Sequence, residues 1–139
     1  MTSSSFSRKF LNPSTLHTPF SYSHIVEITL PQRIIHIAGQ IALNQQGVIV
    51  GLGNLEQQAV QAFNNLAKAL EAANASFDDV VKMNYYLVDI SQIGLLRGVI
   101  ASYFKKDRLP ASTAVEVSGL AIPGLLVEIE ATAITNINT

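Results

Sequence analysis

The side chains best suited to chemistry in this chain are carboxylates set inside apolar strands. Glu128 and Glu130 lie two apart in the run Val127-Glu128-Ile129-Glu130-Ala131, and Glu116 sits among valines one apolar run earlier. Residues two apart on a strand share a sheet face, so Glu128 and Glu130 point the same way. Burying a carboxylate there is costly unless it is hydrogen-bonded or faces a cleft. Each is therefore either a general base or water-positioning group at a cleft, or a member of a solvated edge or interfacial ion pair. Periodicity leaves both readings open.

Other chemistries lack their residues. The histidines, at 17, 24 and 36, have no carboxylate or second histidine at helix-pair spacing, so no metal site is expected. No serine stands in a Gly-x-Ser-x-Gly elbow, and the absence of cysteine removes thiolate nucleophiles, thiolate metal sites and disulfides. Gly51-Leu52-Gly53 lacks the third glycine of a dinucleotide fingerprint, because Glu56 stands where it would fall. Lys105-Lys106 closes a helix, where cations complement the macrodipole. A formal net charge of -1 and a pI near 6.3 give no basic field for nucleic acid, so such a partner is not expected.

The elements that must position these groups read as follows. Residues 23–30 and 33–43 alternate as strands, with Pro31-Gln32 as the turn of an antiparallel hairpin and Gly39 marking a bulge or a close backbone approach. Val48 to Val50 reads as a short strand. Asn54 caps a helix whose stripe is Leu55, Ala59, Ala62, Phe63, Leu66, Leu70 and Ala73, with Gln57 completing a capping box. A strand over 80–89 follows, then a helix capped by Ser91 and buried through Ile93, Leu96 and Ile100, then strands over 112–120 and 125–135. The order β-β-β-α-β-α-β-β implies an α+β fold, a single mixed sheet with two helices on one face.

Two helices cover one face of a sheet, so the other face needs a partner, and a homo-oligomer such as a closed trimer supplies one. Charged residues make up 14% of the chain, against roughly 25% in a typical soluble domain, which also suggests covered surface. Residues 1–18 read as a flexible N-terminal arm and 19–139 as one domain. The arm is rich in Ser and Thr with Arg8 and Lys9, but Pro13 and Pro19 break any amphipathic targeting helix. No apolar run approaches the ~20 residues needed to span a bilayer, and a cytoplasmic protein is expected.

Several segments together resemble one family. These are Ala38-Gly39-Gln40-Ile41, the Asn65-Leu66 helix core, Val80-Val81-Lys82-Met83, Pro110-Ala111-Ser112-Thr113-Ala114-Val115-Glu116-Val117 and Val127-Glu128-Ile129-Glu130-Ala131. Over about Pro19 to Ile134 the chain resembles the Rid (reactive intermediate deaminase) family, also called YjgF or L-PSP endoribonuclease. The resemblance implies a chorismate-mutase-like fold and a homotrimer with a small-molecule cleft between neighbouring subunits. It implies hydrolysis of reactive imines or enamines without cofactor or metal.

By the same resemblance Glu128 matches the cleft glutamate that positions the attacking water. Gly39, Ala38 and Phe20 fall at cleft-lining positions, Ala38 where a serine is usual and Phe20 where a tyrosine is common. The arginine that clamps the substrate carboxylate is replaced by Ser112, and Arg97 stands where an asparagine is frequent. A changed anchor implies a substrate other than the usual 2-iminopropanoate. A non-catalytic trimer that binds a small metabolite is the alternative reading, and an endoribonuclease fits the neutral charge poorly.

Overall fold

The computed structural model describes residues 5–31 and 33–136. Six strands and two helices follow in the order β1 (Ser7–Leu11), β2 (Ile25–Thr29), β3 (Arg33–Gln40), α1 (Leu55–Ala72), β4 (Val80–Leu87), α2 (Ile93–Ile100), β5 (Ala111–Glu116) and β6 (Val127–Thr135). Strands β3-β6-β4-β5 form one sheet, mixed because β4 and β5 run parallel while the other pairs are antiparallel. The fold is α+β, as the patterning implies.

Alternation on β4 and β6 sets the two faces. Met83, Tyr85 and Leu87 on β4 and Val127, Ile129, Ala131 and Ala133 on β6 are buried beneath the helices. Helix α1 starts at Asn54, whose side chain accepts the Gln57 N–H at 3.0 Å, and contributes Ala59, Ala62, Phe63, Leu66 and Leu70 to the core. Its alanines let the helix lie close to the sheet. Phe63 stacks on Tyr103 with ring centroids 4.5 Å apart, which carries the core past the end of α2.

Several expectations need correction. The string of elements reads as expected, with β2 and β3 among the expected strands, but residues 7–11 supply the strand that was expected at Val48 to Val50. Residues 7–11, expected as part of a flexible arm, form β1, which pairs with β2 in a separate two-stranded sheet. The Arg8 guanidinium pairs with Asp79 and donates to the Ile134 carbonyl, and these tertiary bonds hold the strand. The two sheets replace the expected single one. Strands β2 and β3 are not a hairpin: Leu30 takes φ 54°, the left-handed region, and β3 goes to β6. Gln32, the expected turn partner of Pro31, lies outside the described residues.

Val48 to Val50 forms only an isolated bridge, Leu43 with Ile49, because the Asn44 side chain accepts the Gln46 and Val48 N–H groups in a turn. The box at α1 is half formed, since the Asn54 N–H goes to the Gly51 carbonyl. Asp89, not Ser91, caps the turn before α2, accepting both the Ser91 N–H and its hydroxyl.

Candidate active site in two halves

The predicted residues gather at two places. The first lies on the sheet face away from the helices. Strand β3 slips register against β6 between Ile37 and Gln40, and Gly39 sits in that irregularity. The Glu128 carboxylate lies directly over it: a Cβ built on Gly39 would meet Glu128 Oε2 at 2.5 Å and its Cδ at 2.6 Å. Glycine is the residue that lets the carboxylate lie against the strand. Ala38 is exposed beside it, its carbonyl accepting the Gln40 amide at 3.0 Å.

The structure separates the three strand carboxylates. Glu130 accepts the Asn84 amide at 2.9 Å and the Tyr86 hydroxyl at 2.6 Å. Those two bonds, Tyr86 first, hold its carboxyl below the ordinary range despite a small opposing desolvation. Glu116 accepts the Ile90 N–H at 3.1 Å, joining β5 to the start of α2. Glu128 makes no hydrogen bond or ion pair with any described residue. Of the three it alone has neither carboxylate oxygen bonded to a described residue, so both can serve a water or a ligand.

The second half lies across the sheet. Because β4 and β5 are parallel and in register, Ser112 neighbours the buried Met83 and Ala114 neighbours Tyr85, which puts both on the helix side. There they line a cavity of about 200 Å³ with Ser21, Tyr22, Tyr85, Ile93, Arg97 and Ile100. The 19–24 segment is docked against β5 by the Ser23 N–H, which donates to the Pro110 carbonyl at 3.1 Å, and by a parallel bridge from Ser23 to Ala111. This docking brings Phe20 under Arg97, whose guanidinium carbon lies 4.9 Å from the ring centroid. Arg97 has no acidic partner among the described residues.

Sequence reasoning did not single out the rest of this wall. Tyr22 bonds His17 Nε2 at 2.7 Å, and His24 bonds the His17 carbonyl at 2.7 Å, so two of the three histidines brace the loop over the cavity. Tyr85 lies in the floor, where burial pushes its phenol far up, so its hydroxyl stays neutral. The signal for Tyr85 and Ala114 was strand alternation, which becomes readable only once the β4–β5 pairing is known to be parallel. Elsewhere, a larger open hollow of about 460 Å³ beside α1 is lined by Glu56 with Val50, Asn54, Gln57, Val60 and Gln61, and by no cation among the described residues. No group of three or more His, Asp or Glu suited to a metal occurs among the described residues. No helix among them is long and apolar enough to cross a membrane.

A small α+β domain with a carboxylate over a sheet glycine and a cation beside a strand-edge cavity matches one family in known proteins. The family model described as Endoribonuclease L-PSP matches residues 14–135, and the chain belongs to that family, the Rid/YjgF group. A rat protein named 2-iminobutanoate/2-iminopropanoate deaminase is 34% identical over 131 residues, which is 94% of this chain and 93% of the relative. A RutC family protein of Synechocystis is 38% identical over 98 residues, covering 70% of this chain and 75% of the relative. Among solved structures, a Rid family protein from Yersinia pestis superposes with a TM-score of 0.86 at 37% identity, over 92% of this chain and 98% of that one.

Proposed function

We propose that the chain is a homotrimeric hydrolytic deaminase of a small reactive imine or enamine, other than 2-iminopropanoate, working in clefts between subunits. Kinship with proteins named as 2-iminobutanoate/2-iminopropanoate deaminases supports the reaction class. The observation that carries the reading is the free Glu128 carboxylate over Gly39. In the reaction it takes a proton from water as oxygen bonds to the imine carbon and the C=N π pair moves to nitrogen, which takes a proton from solvent. Returning the proton from Glu128 to nitrogen breaks the C–N bond. Ammonia leaves, and the hydroxyl proton is released as the carbonyl forms.

An imine carbon is already electrophilic, so holding the acid and placing one water is most of the work. Glu128 and Ser112 occupy opposite sheet faces of a single chain. A site that uses both draws Glu128 from one subunit and the Ser112–Arg97 cavity from its neighbour, a head-to-tail contact of the kind that closes into a ring. The protein needs no metal or cofactor for this chemistry, and we assign it to the cytoplasm. The replacement of the clamp arginine by Ser112 favours the second reading, a trimer that binds a small metabolite without turnover. A net charge of -1 argues against nucleic acid as the substrate.

The test is subunit mixing. Glu128→Gln and Arg97→Met are each expected to be inactive on imines generated in situ. In equal mixtures assembled at random, a shared site has both native residues when the right subunit stands on each side, which restores about one quarter of wild-type activity. Mixtures as silent as the parents, with native wild-type activity, would mean that the site lies within one chain. A wild type that binds oxo acids and hydrolyses none of the imines would establish the binding reading instead. A monomer by light scattering would sink both.

A further inference from the structure

A second polar cavity, of about 200 Å³, lies on the open sheet face, and its polar lining is His36, Lys82, Asn84, Glu130 and Thr132. Neither Glu128 nor the Ser112–Arg97 group lines it. The register builds it: Lys82 stands opposite Thr132, Thr132 stands opposite His36, and Asn84 stands opposite Glu130 two residues further along. The alternation that buries Met83 and Ala131 beneath the helices turns these side chains to the other face.

The cavity holds one cation and one anion that are not paired with each other. Glu130 takes both of its bonds on Oε1, from the Asn84 amide at 2.9 Å and the Tyr86 hydroxyl at 2.6 Å, which leaves Oε2 without a bond to any described residue. A carboxylate fixed in this way is preorganised for a cation. Lys82 forms no hydrogen bond or ion pair with a described residue. His36 Nδ1 bonds the Thr132 hydroxyl at 3.2 Å, and Nε2 bonds no described residue. Rows two residues apart are separated by about 6.6 Å along a strand, room for one small molecule between the two charges. The charges balance across the cavity, so neither a lone anion nor a lone cation satisfies it.

We propose that this cavity is a second binding site, for zwitterionic α-amino acids with small side chains, whose ammonium donates to Glu130 Oε2 and whose carboxylate accepts from Lys82. In the tautomer whose Nδ1 accepts the Thr132 hydroxyl, the His36 Nε2–H is a second donor to that carboxylate. A ligand with one charge alone leaves the opposite group unpaired. The volume keeps the side chain small.

The test is calorimetric titration of L-alanine into the intact assembly, with the His36 imidazole C–H signals followed by NMR. Wild type is expected to bind, and the His36 signals to move. Lys82→Met and Glu130→Gln should each weaken binding at least about tenfold, the cost of one charge-assisted pair. Glutamine keeps an oxygen for Asn84 and Tyr86, so Glu130→Gln carries the test if light scattering shows that Lys82→Met does not assemble. Propanoate, which lacks the ammonium, and ethylamine, which lacks the carboxylate, should each bind at least about tenfold more weakly than L-alanine. Arg97→Met should bind L-alanine within twofold of wild type. No detectable binding by wild type, binding within twofold of wild type in Glu130→Gln or in an assembled Lys82→Met, or propanoate or ethylamine binding as tightly as L-alanine would each overturn the proposal. So would a loss on Arg97→Met with still His36 signals, which would put the amino acid in the cavity beside β5.

Discussion

Gly39→Ala separates the chemistry of Glu128 from the stability of the strand. An alanine methyl at this site would lie 2.5 Å from Glu128 Oε2, against about 3.4 Å for ordinary contact, so the carboxylate must retreat by about 0.9 Å (3.4 less 2.5). The atoms that must move are the far end of a flexible side chain, and the φ of Gly39 is not among the positive ones, so the backbone accepts alanine. Replacing glycine within a strand gains ~0.5–1 kcal/mol, and an off-rotamer Glu128 costs ~0.5–1.5 kcal/mol. Folding stability should therefore stay within about 1 kcal/mol, a few degrees in Tm at fixed protomer concentration. Catalysis has no such compensation: a displacement of about 1 Å costs up to ~10²-fold. The assay compares kcat/KM on in situ imines with the thermal midpoint for wild type, Gly39→Ala and Glu128→Gln. Activity in Gly39→Ala within threefold of wild type would refute the assignment of Glu128 to the water, because the carboxylate cannot stay where it is.

Other perturbations test the frame around the site. Arg8→Met removes the Asp79 pair and the bond to the Ile134 carbonyl, so amide exchange in Ser7–Leu11 should quicken at least about tenfold while the core strands stay protected; unchanged protection would mean that pairing with β2 alone holds β1. Gln58 is fully buried, its amide donating to the Gly51 and Gly124 carbonyls and its oxygen accepting the Leu126 N–H. Gln58→Ala should cost about 3 kcal/mol in urea unfolding, from the orphaned backbone groups and the cavity. Tyr86→Phe removes the main bond that lowers Glu130, so in an NMR titration the Glu130 carboxyl should rise toward its ordinary range. A lowered native value adds stability above the unfolded pKa that disappears as pH falls through the native one, so the variant should lose part of that acid-side pH dependence.

What the sequence revealed depended on how far apart the cooperating residues stand. Helix α1, its Asn54 cap, and the alternation of β4 and β6 are local patterns, and they were legible. The pairing of β2 was not, because adjacency suggests a hairpin while the actual partner, β1, is a five-residue strand fixed by an arginine that reaches Asp79, 71 positions away. At the site, alternation put Glu128 and Glu130 on one face but gave no means of choosing between them. The choice comes from Asn84 and Tyr86, which take Glu130 from a strand more than 40 residues earlier. Gly39 was legible as a close approach, and its visitor was not.

The polar character of the open sheet face bears on how such an assembly could form. A face that awaits a partner is ordinarily apolar, and Ile34 and Ile134 at one end are. Further along, His36 meets Thr132 at 3.2 Å and Glu130 is held by Asn84 and Tyr86, so these groups carry their partners with them. Covering them with a neighbouring subunit would therefore forfeit little hydrogen bonding. Glu128 is the exception, a carboxylate on the same face without a hydrogen bond or ion pair among the described residues. If a neighbour covers this face, Glu128 is the group whose desolvation stays uncompensated until a water or ligand arrives. The glycine beneath it leaves open the space that a Cβ would take, at a cost in strand stability. Both features make sense together if the position exists for what enters the cleft.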